Sequence, residues 1–165
     1  MNKNTSCNYR KEVIDRLIPY FEKDSRYYLL IGDSGFAVID RFKEKFPHRI
    51  TNCGIMEQSM VGIAAGMAIS GMIPIVYTIV NFLVFRALEQ IRNDIVLQNL
   101  NVKLIGTGAN DYFSHLGPSH TCGEDDIKIM EIIGMKCYDP YAETQDFTDM
   151  FNEWITSKEG GYIRV

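Results

Sequence analysis

The residue best placed to do chemistry is Glu57, a lone carboxylate in Ile50-Thr-Asn-Cys-Gly-Ile-Met-Glu-Gln-Ser-Met-Val-Gly-Ile-Ala-Ala-Gly66, where it follows an apolar strand and opens a helix of small residues. It stands between Ile55-Met56 and a run from Gln58 to Phe85 that carries no charge, so apolar surroundings are expected. Deep burial favours the protonated form of a carboxyl. A helix N-terminus pulls the other way, by about 0.3–1 kcal/mol. A buried acid of this kind can hand a proton to a ring nitrogen in a closed pocket. The alternative is an exposed first-turn residue that complements the helix dipole, and position alone leaves both open.

Other residues could join such a site. Phe82 and Phe85 are three apart at a helix start, which suits either a wall for an aromatic ligand or the core. His120 ends the polar turn Leu116-Gly-Pro-Ser-His120, where position alone suits a surface residue as well as an imidazole that exchanges protons. His115 lies in the same loop, and His48, beside Pro47, reads as a surface residue where a strand begins. Gly62, Ala65, Gly66 and Ile69 share a helix face open to close backbone approach, from the sheet or from another subunit.

The elements that must position these residues alternate along the chain. The apolar spacing of Val13, Leu17, Ile18 and Phe21 predicts a helix over Tyr9–Lys23, followed by a strand at Tyr27–Ile31. A helix over Phe36–Phe46, a strand at Arg49–Cys53, the Glu57 helix and a strand at Ile73–Val80 come next. Beyond them the reading gives a helix at Phe82–Leu97 and a strand at Val102–Gly106, then a long loop through Cys122. A helix near Asp125–Ile133, a strand at Lys136–Tyr138, a helix at Glu143–Ser157 and a strand at Gly161–Val165 complete it. Such an order calls for a three-layer α/β/α fold with a mostly parallel sheet, in which ligands gather at the carboxyl ends of the strands.

Composition narrows the functions. The 165 residues, 46% hydrophobic, suit one domain over 1–165. A net charge of −4 with interspersed signs offers no basic stripe for nucleic acid. The charge-free run Gln58–Phe85 exceeds the roughly 20 residues of a membrane span, but Gly71 and Pro74 interrupt it and Ile73–Val80 is β-branched, so a helix, a turn and a strand are expected. Cys7, Cys53, Cys122 and Cys137 show neither a C-x-x-C pair nor metal-ligand spacing; all four read as structural thiols, and with no signal peptide a cytoplasmic location is expected.

The block Asn52-Cys-Gly-Ile-Met-Glu-Gln-Ser-Met-Val-Gly-Ile-Ala-Ala-Gly66 resembles the pyrimidine-binding domain of transketolases, whose pattern there is close to N-x-G-I-x-E-Q-x-M-x-G-x-A-x-G. Ile73-Pro-Ile-Val-Tyr-Thr78, Asn81-Phe-Leu-Val-Phe-Arg-Ala-Leu-Glu-Gln-Ile-Arg92, the Gly-Pro-Ser-His120 turn and Gly161-Tyr-Ile-Arg-Val165 are similar to that domain's later blocks, in order and over nearly the whole chain. The resemblance implies the thiamine diphosphate-binding fold and transfer of a two-carbon ketol unit between sugar phosphates or related sugars. It implies that Glu57 bonds the aminopyrimidine ring nitrogen, promoting the imino form that deprotonates the thiazolium carbon. It implies that Ile55, Phe82 and Phe85 contact the cofactor and that His120 serves catalysis near the reacting carbon.

Departures accompany the likeness. Leu88 stands where many transketolases carry a further aromatic residue. Gly108-Ala-Asn110 and His115-Leu116 stand where many have a histidine and an acidic pair, so the resemblance leaves the sugar open. Gly32-Asp-Ser34 with Asn52 imitates the diphosphate domain's metal signature without its second glycine, and no metal ligand is expected in this chain. The diphosphate-binding domain, with its Mg2+, and the C-terminal transketolase domain are expected elsewhere, the former on a partner chain without which this one has no activity. Self-association through the small-residue helix is expected. A deoxyxylulose phosphate synthase-like or 2-oxoacid enzyme subunit and a non-catalytic binding module remain the alternatives.

Overall fold

The computed structural model describes residues 8–142 and 144–165, which leaves Cys7 and Glu143 outside the described residues. Its strands are β1 (Tyr27–Ile31), β2 (Ile50–Asn52), β3 (Ile73–Ile79), β4 (Lys103–Thr107), β5 (Cys137–Tyr138) and β6 (Gly161–Arg164). All pair in parallel, in the order β2-β1-β3-β4-β6-β5. Ile31 lies opposite Asn52 on one side and Tyr77 on the other, and Tyr77 lies opposite Ile105.

Strand alternation divides the core. Leu29, Ile31, Ile75, Tyr77, Ile105 and Ile163 face α1 (Tyr9–Lys23), α2 (Asp40–Lys45) and α6 (Phe147–Thr156), whose Leu17, Phe21, Phe42, Phe151 and Trp154 complete that layer. Leu30, Val76, Leu104 and Tyr162 face α3 (Glu57–Ile69), the helical segment 82–96 and α5 (Asp125–Ile132). Both faces of the sheet are covered, which is why β3 reads as a nearly continuous apolar run. The expected three-layer α/β/α fold is the one found. The charge-free run folds as the rest of α3, a turn and β3, and among the described residues no helix is long and apolar enough to cross a membrane.

Strand ends move by at most one residue from the sequence reading, and three helices differ more. The helix expected from Phe36 starts at Asp40, because Asp33, Gly35 and Ala37 all adopt positive φ and hold 33–39 in turns. The helix expected from Glu143 starts at Phe147, where Asp146 in extended geometry caps it by accepting from the Thr148 amide at 2.7 Å. The helix expected at Phe82–Leu97 is interrupted: π turns at Phe82–Arg86 and Ile91–Val96 flank α4 (Leu88–Gln90), with a break at Ala87 (φ −105°, ψ 17°). The wider turns rotate the residues that follow relative to an α-helix.

Candidate active site

The strand order reverses between β1 and β3, the switch point at which doubly wound sheets hold their ligands. Gly32 follows β1 there, and a Cβ on it would stand 2.7 Å from Thr78 Oγ1, so only glycine lets the Thr78 hydroxyl lie across the strand end. Glu57 is the first residue of α3 and fully buried. Thr78 Oγ1, on β3, donates to its Oε1 over 3.4 Å, and the Arg86 guanidinium, from the first π turn, ion-pairs with Oε2.

The apolar surroundings expected for Glu57 are therefore corrected. Burial is complete, but it is shared with a cation and a hydroxyl rather than with hydrocarbon alone. An uncompensated carboxylate at such depth would cost several kcal/mol, and the ion pair removes most of that cost.

The wall beside this carboxylate comes from the segment after β3 and the loop after β4. Asn81, Phe82, Phe85, Arg86, Pro118, Ser119 and Thr121 line a cavity of about 410 Å³. Phe85 is half exposed, and the Arg86 guanidinium lies 4.5 Å from the Phe82 ring centroid. Phe82 meets the His120 ring edge-to-face at 5.0 Å, and His120 Nδ1 is 3.0 Å from Ser119 Oγ. The Asn81 amide nitrogen donates to the Thr121 carbonyl at 2.7 Å, clamping the loop to the segment, while its own Oδ1 is buried without a partner among the described residues.

Glu57, Phe82, Phe85 and His120 are thus brought to one rim, through Arg86 and the ring contacts. Ile55 is not part of that cluster: it projects from the β2–α3 turn, 71% exposed. His115 is exposed, its ring 6.3 Å from that of Phe113. Asp33 and Asn52 bond each other, the Asn52 amide donating to Asp33 Oδ1 at 3.0 Å, which closes the ends of β1 and β2. Of the small-residue face, Ala65 packs inward, whereas a Cβ on Gly62 or Gly66 would meet nothing within 4 Å and Ile69 is 66% exposed.

Sequence reasoning missed Arg86, Thr78 and Asn81. The signal for Arg86 was present: it is the first charge after the run that Glu57 precedes, and two opposite charges bracketing an apolar stretch are candidates to pair when the chain folds back.

A second polar cluster fixes the far end of the rim loop. Arg164, almost fully buried at the end of β6, pairs through Nε with Asp126 Oδ2 at 3.1 Å and through Nη1 with Asp139 Oδ2 at 3.2 Å. Its Nη2 donates to the Gly123 carbonyl at 2.8 Å, and Tyr162 donates to Asp126 Oδ2 at 2.6 Å. Burial raises the Asp126 carboxyl above its ordinary range, opposed by the Tyr162 hydrogen bond and the Arg164 charge.

Residues 8–159 match the family described as transketolase, pyrimidine binding domain. The chain belongs to that family. This pyrimidine-binding domain is 31% identical over 137 residues to a 6-deoxy-6-sulfo-D-fructose transketolase subunit from Clostridium sp., covering 82% of this chain and 42% of the relative. It is 35% identical over 123 residues to an apulose-4-phosphate transketolase subunit from Actinobacillus succinogenes, covering 74% of this chain and 39% of that one. Among solved structures, a split gene transketolase described as an inactive beta4 tetramer superposes with a TM-score of 0.78 at 29% identity, over 94% of this chain and 49% of that one. The domain spans less than half the length of these relatives.

Proposed function

We propose that this chain supplies the aminopyrimidine-binding wall of a thiamine diphosphate-dependent, transketolase-like transferase acting on sugars or sugar phosphates. The observation that carries the reading is Glu57, a buried carboxylate at the sheet's switch point beside an aromatic-lined cavity. The donor set fits an aminopyrimidine: a carboxylate for its ring nitrogen, half-exposed Phe85 for its face, and an unpartnered Asn81 Oδ1 nearby. Thiamine diphosphate, when bound, supplies the carbon nucleophile that carries a two-carbon unit.

This chain's residues bind and steer. Glu57 holds a proton at Oε1 or Oε2 against the ring nitrogen. Phe82 and Phe85 confine the ring from the side of the segment after β3, a contact worth about 0.5–1.5 kcal/mol beyond its area. His120, held against Phe82 and Ser119, exchanges protons with substrate oxygens. The diphosphate and its Mg2+ we assign to a partner chain, in the cytoplasm. The open face of Gly62, Gly66 and Ile69 is our choice for self-association.

The test is reconstitution with a diphosphate-binding partner from the same source. Glu57→Gln keeps the side chain's size but not its proton, so turnover should fall at least a hundredfold while cofactor binding falls little. Undiminished turnover in the reconstituted Glu57→Gln enzyme overturns the reading.

A further inference from the structure

Glu57 is fully buried, yet the cavity against which it is proposed to act lies next to it. One side chain touches both. Arg86 presents Nη1 to Glu57 Oε2, lines the cavity and is 39% exposed. The remaining partner of the carboxylate, Thr78, lies on β3 beneath it, at a long 3.4 Å. A ring nitrogen approaching from the cavity therefore meets the guanidinium before it meets the acid.

We propose that Arg86 is a displaceable counter-ion, standing in for the aminopyrimidine ring in the unliganded chain and swinging toward solvent when the ring arrives; this rests on the reading that the ring bonds Glu57. Three features suit that role. A buried carboxylate left alone is costly, so an internal cation keeps the empty site folded. The guanidinium, 39% exposed, can be hydrated as it leaves, which a fully buried cation cannot. The guanidinium already lies over the Phe82 ring while it is paired, and that contact can hold the cation as Glu57 lets it go. The cofactor's affinity is then set by competition with Arg86, and the fraction of time the pair is open scales the apparent dissociation constant.

Two measurements on the full chain separate this proposal from the function it rests on. In the first, carboxyls are coupled to glycinamide with a water-soluble carbodiimide and the modified peptides quantified. Exposed Glu89 should react in every variant. Glu57 should be protected in the wild type and react at least tenfold faster in Arg86→Met, and in Arg86→Gln, which is kept as the second variant should the first fail to fold. A folded Arg86 variant in which Glu57 stays protected overturns the proposal, whatever the chain binds. In the second, thiamine diphosphate is titrated and followed by saturation-transfer NMR. Arg86→Met should bind roughly three- to thirtyfold tighter than wild type. Equal or weaker binding overturns the competition. Binding that ignores both Arg86→Met and Glu57→Gln counts against the functional reading, while the labelling result still decides whether Arg86 shields the acid.

Discussion

Arg10 Nε donates to Thr107 Oγ1 at 2.9 Å, joining the first turn of α1 to the last residue of β4 across 97 positions of sequence. The same guanidinium lies 4.6 Å from the Tyr112 ring centroid and 5.0 Å from that of Phe113, and Tyr77 donates to the same Thr107 hydroxyl at 3.2 Å. The first helix thereby straps down the start of the loop that carries His120. Arg10→Leu should loosen residues 108–117 without unfolding the sheet, at about 1–2 kcal/mol. Amide hydrogen exchange should rise in that loop and stay slow in β3 and β4; unchanged exchange at 108–117 removes the strap.

Asp126 and Arg164 form a buried pair, and breaking such a pair from one side is worse than removing both charges. Asp126→Ala should cost about 3–5 kcal/mol in urea unfolding. Asp126→Leu combined with Arg164→Met should cost less than that single change. A double variant as unstable as the sum of the two singles speaks against charge pairing as the cause.

Lys103 is buried at the start of β4, donating to the Ser157 carbonyl at 2.9 Å and to that of Glu159 at 2.7 Å. Burial lowers its ammonium from the ordinary 10.5 to about 8, against the opposing charge of Glu159. Below about pH 8 the group is charged folded and unfolded, and the burial cost is fully present. Between about 8 and 10.5 the unfolded chain holds a proton the folded chain has shed, so this group makes stability rise with pH. Wild type should gain on Lys103→Met as pH goes from about 8 to about 10; titrating thiols and tyrosines are common to both proteins and cancel. A difference that is flat in pH contradicts the shift.

Glycines separate by surroundings rather than by sequence. A Cβ at Gly106 would stand 2.5 Å from Tyr162 Oη and 2.7 Å from its ring, so Gly106→Ala should destabilise by about 1–3 kcal/mol. Gly66→Ala, mid-helix with open space around it, should stabilise the isolated chain by roughly 0.5–1 kcal/mol. If the small-residue face mediates self-association, the same Gly66→Ala change should weaken it, read by analytical ultracentrifugation.

Much of the fold was legible. Helical spacing marked α1 to the residue, an apolar run marked β1, and a β-branched, aromatic run marked β3. The candidate site was legible as a set of names, Glu57, Phe82, Phe85 and His120, through their family blocks. Its wiring was not. Ile55 reads as an interior neighbour of Glu57 but projects outward, because Gly54 at φ 74° turns the chain just before it. The start of α2 was misplaced because Ala37, just past Gly35, adopts φ 62°, and alanine does not announce a turn as glycine or aspartate does.

By itself, the sequence determined the alternation of strands and helices, the two apolar faces of the sheet and the family, since periodicity and local motifs report which side of an element is buried. Only the tertiary structure decided that Glu57 meets Arg86, 29 positions away, that Arg10 reaches Thr107, and that Arg164 is held by Asp126 and Asp139. Such pairings depend on strand order, register and the widened turns after β3, which bring distant charges within hydrogen-bonding range. No local pattern encodes that distance, because burial selects for a partner without specifying which residue along the chain supplies it.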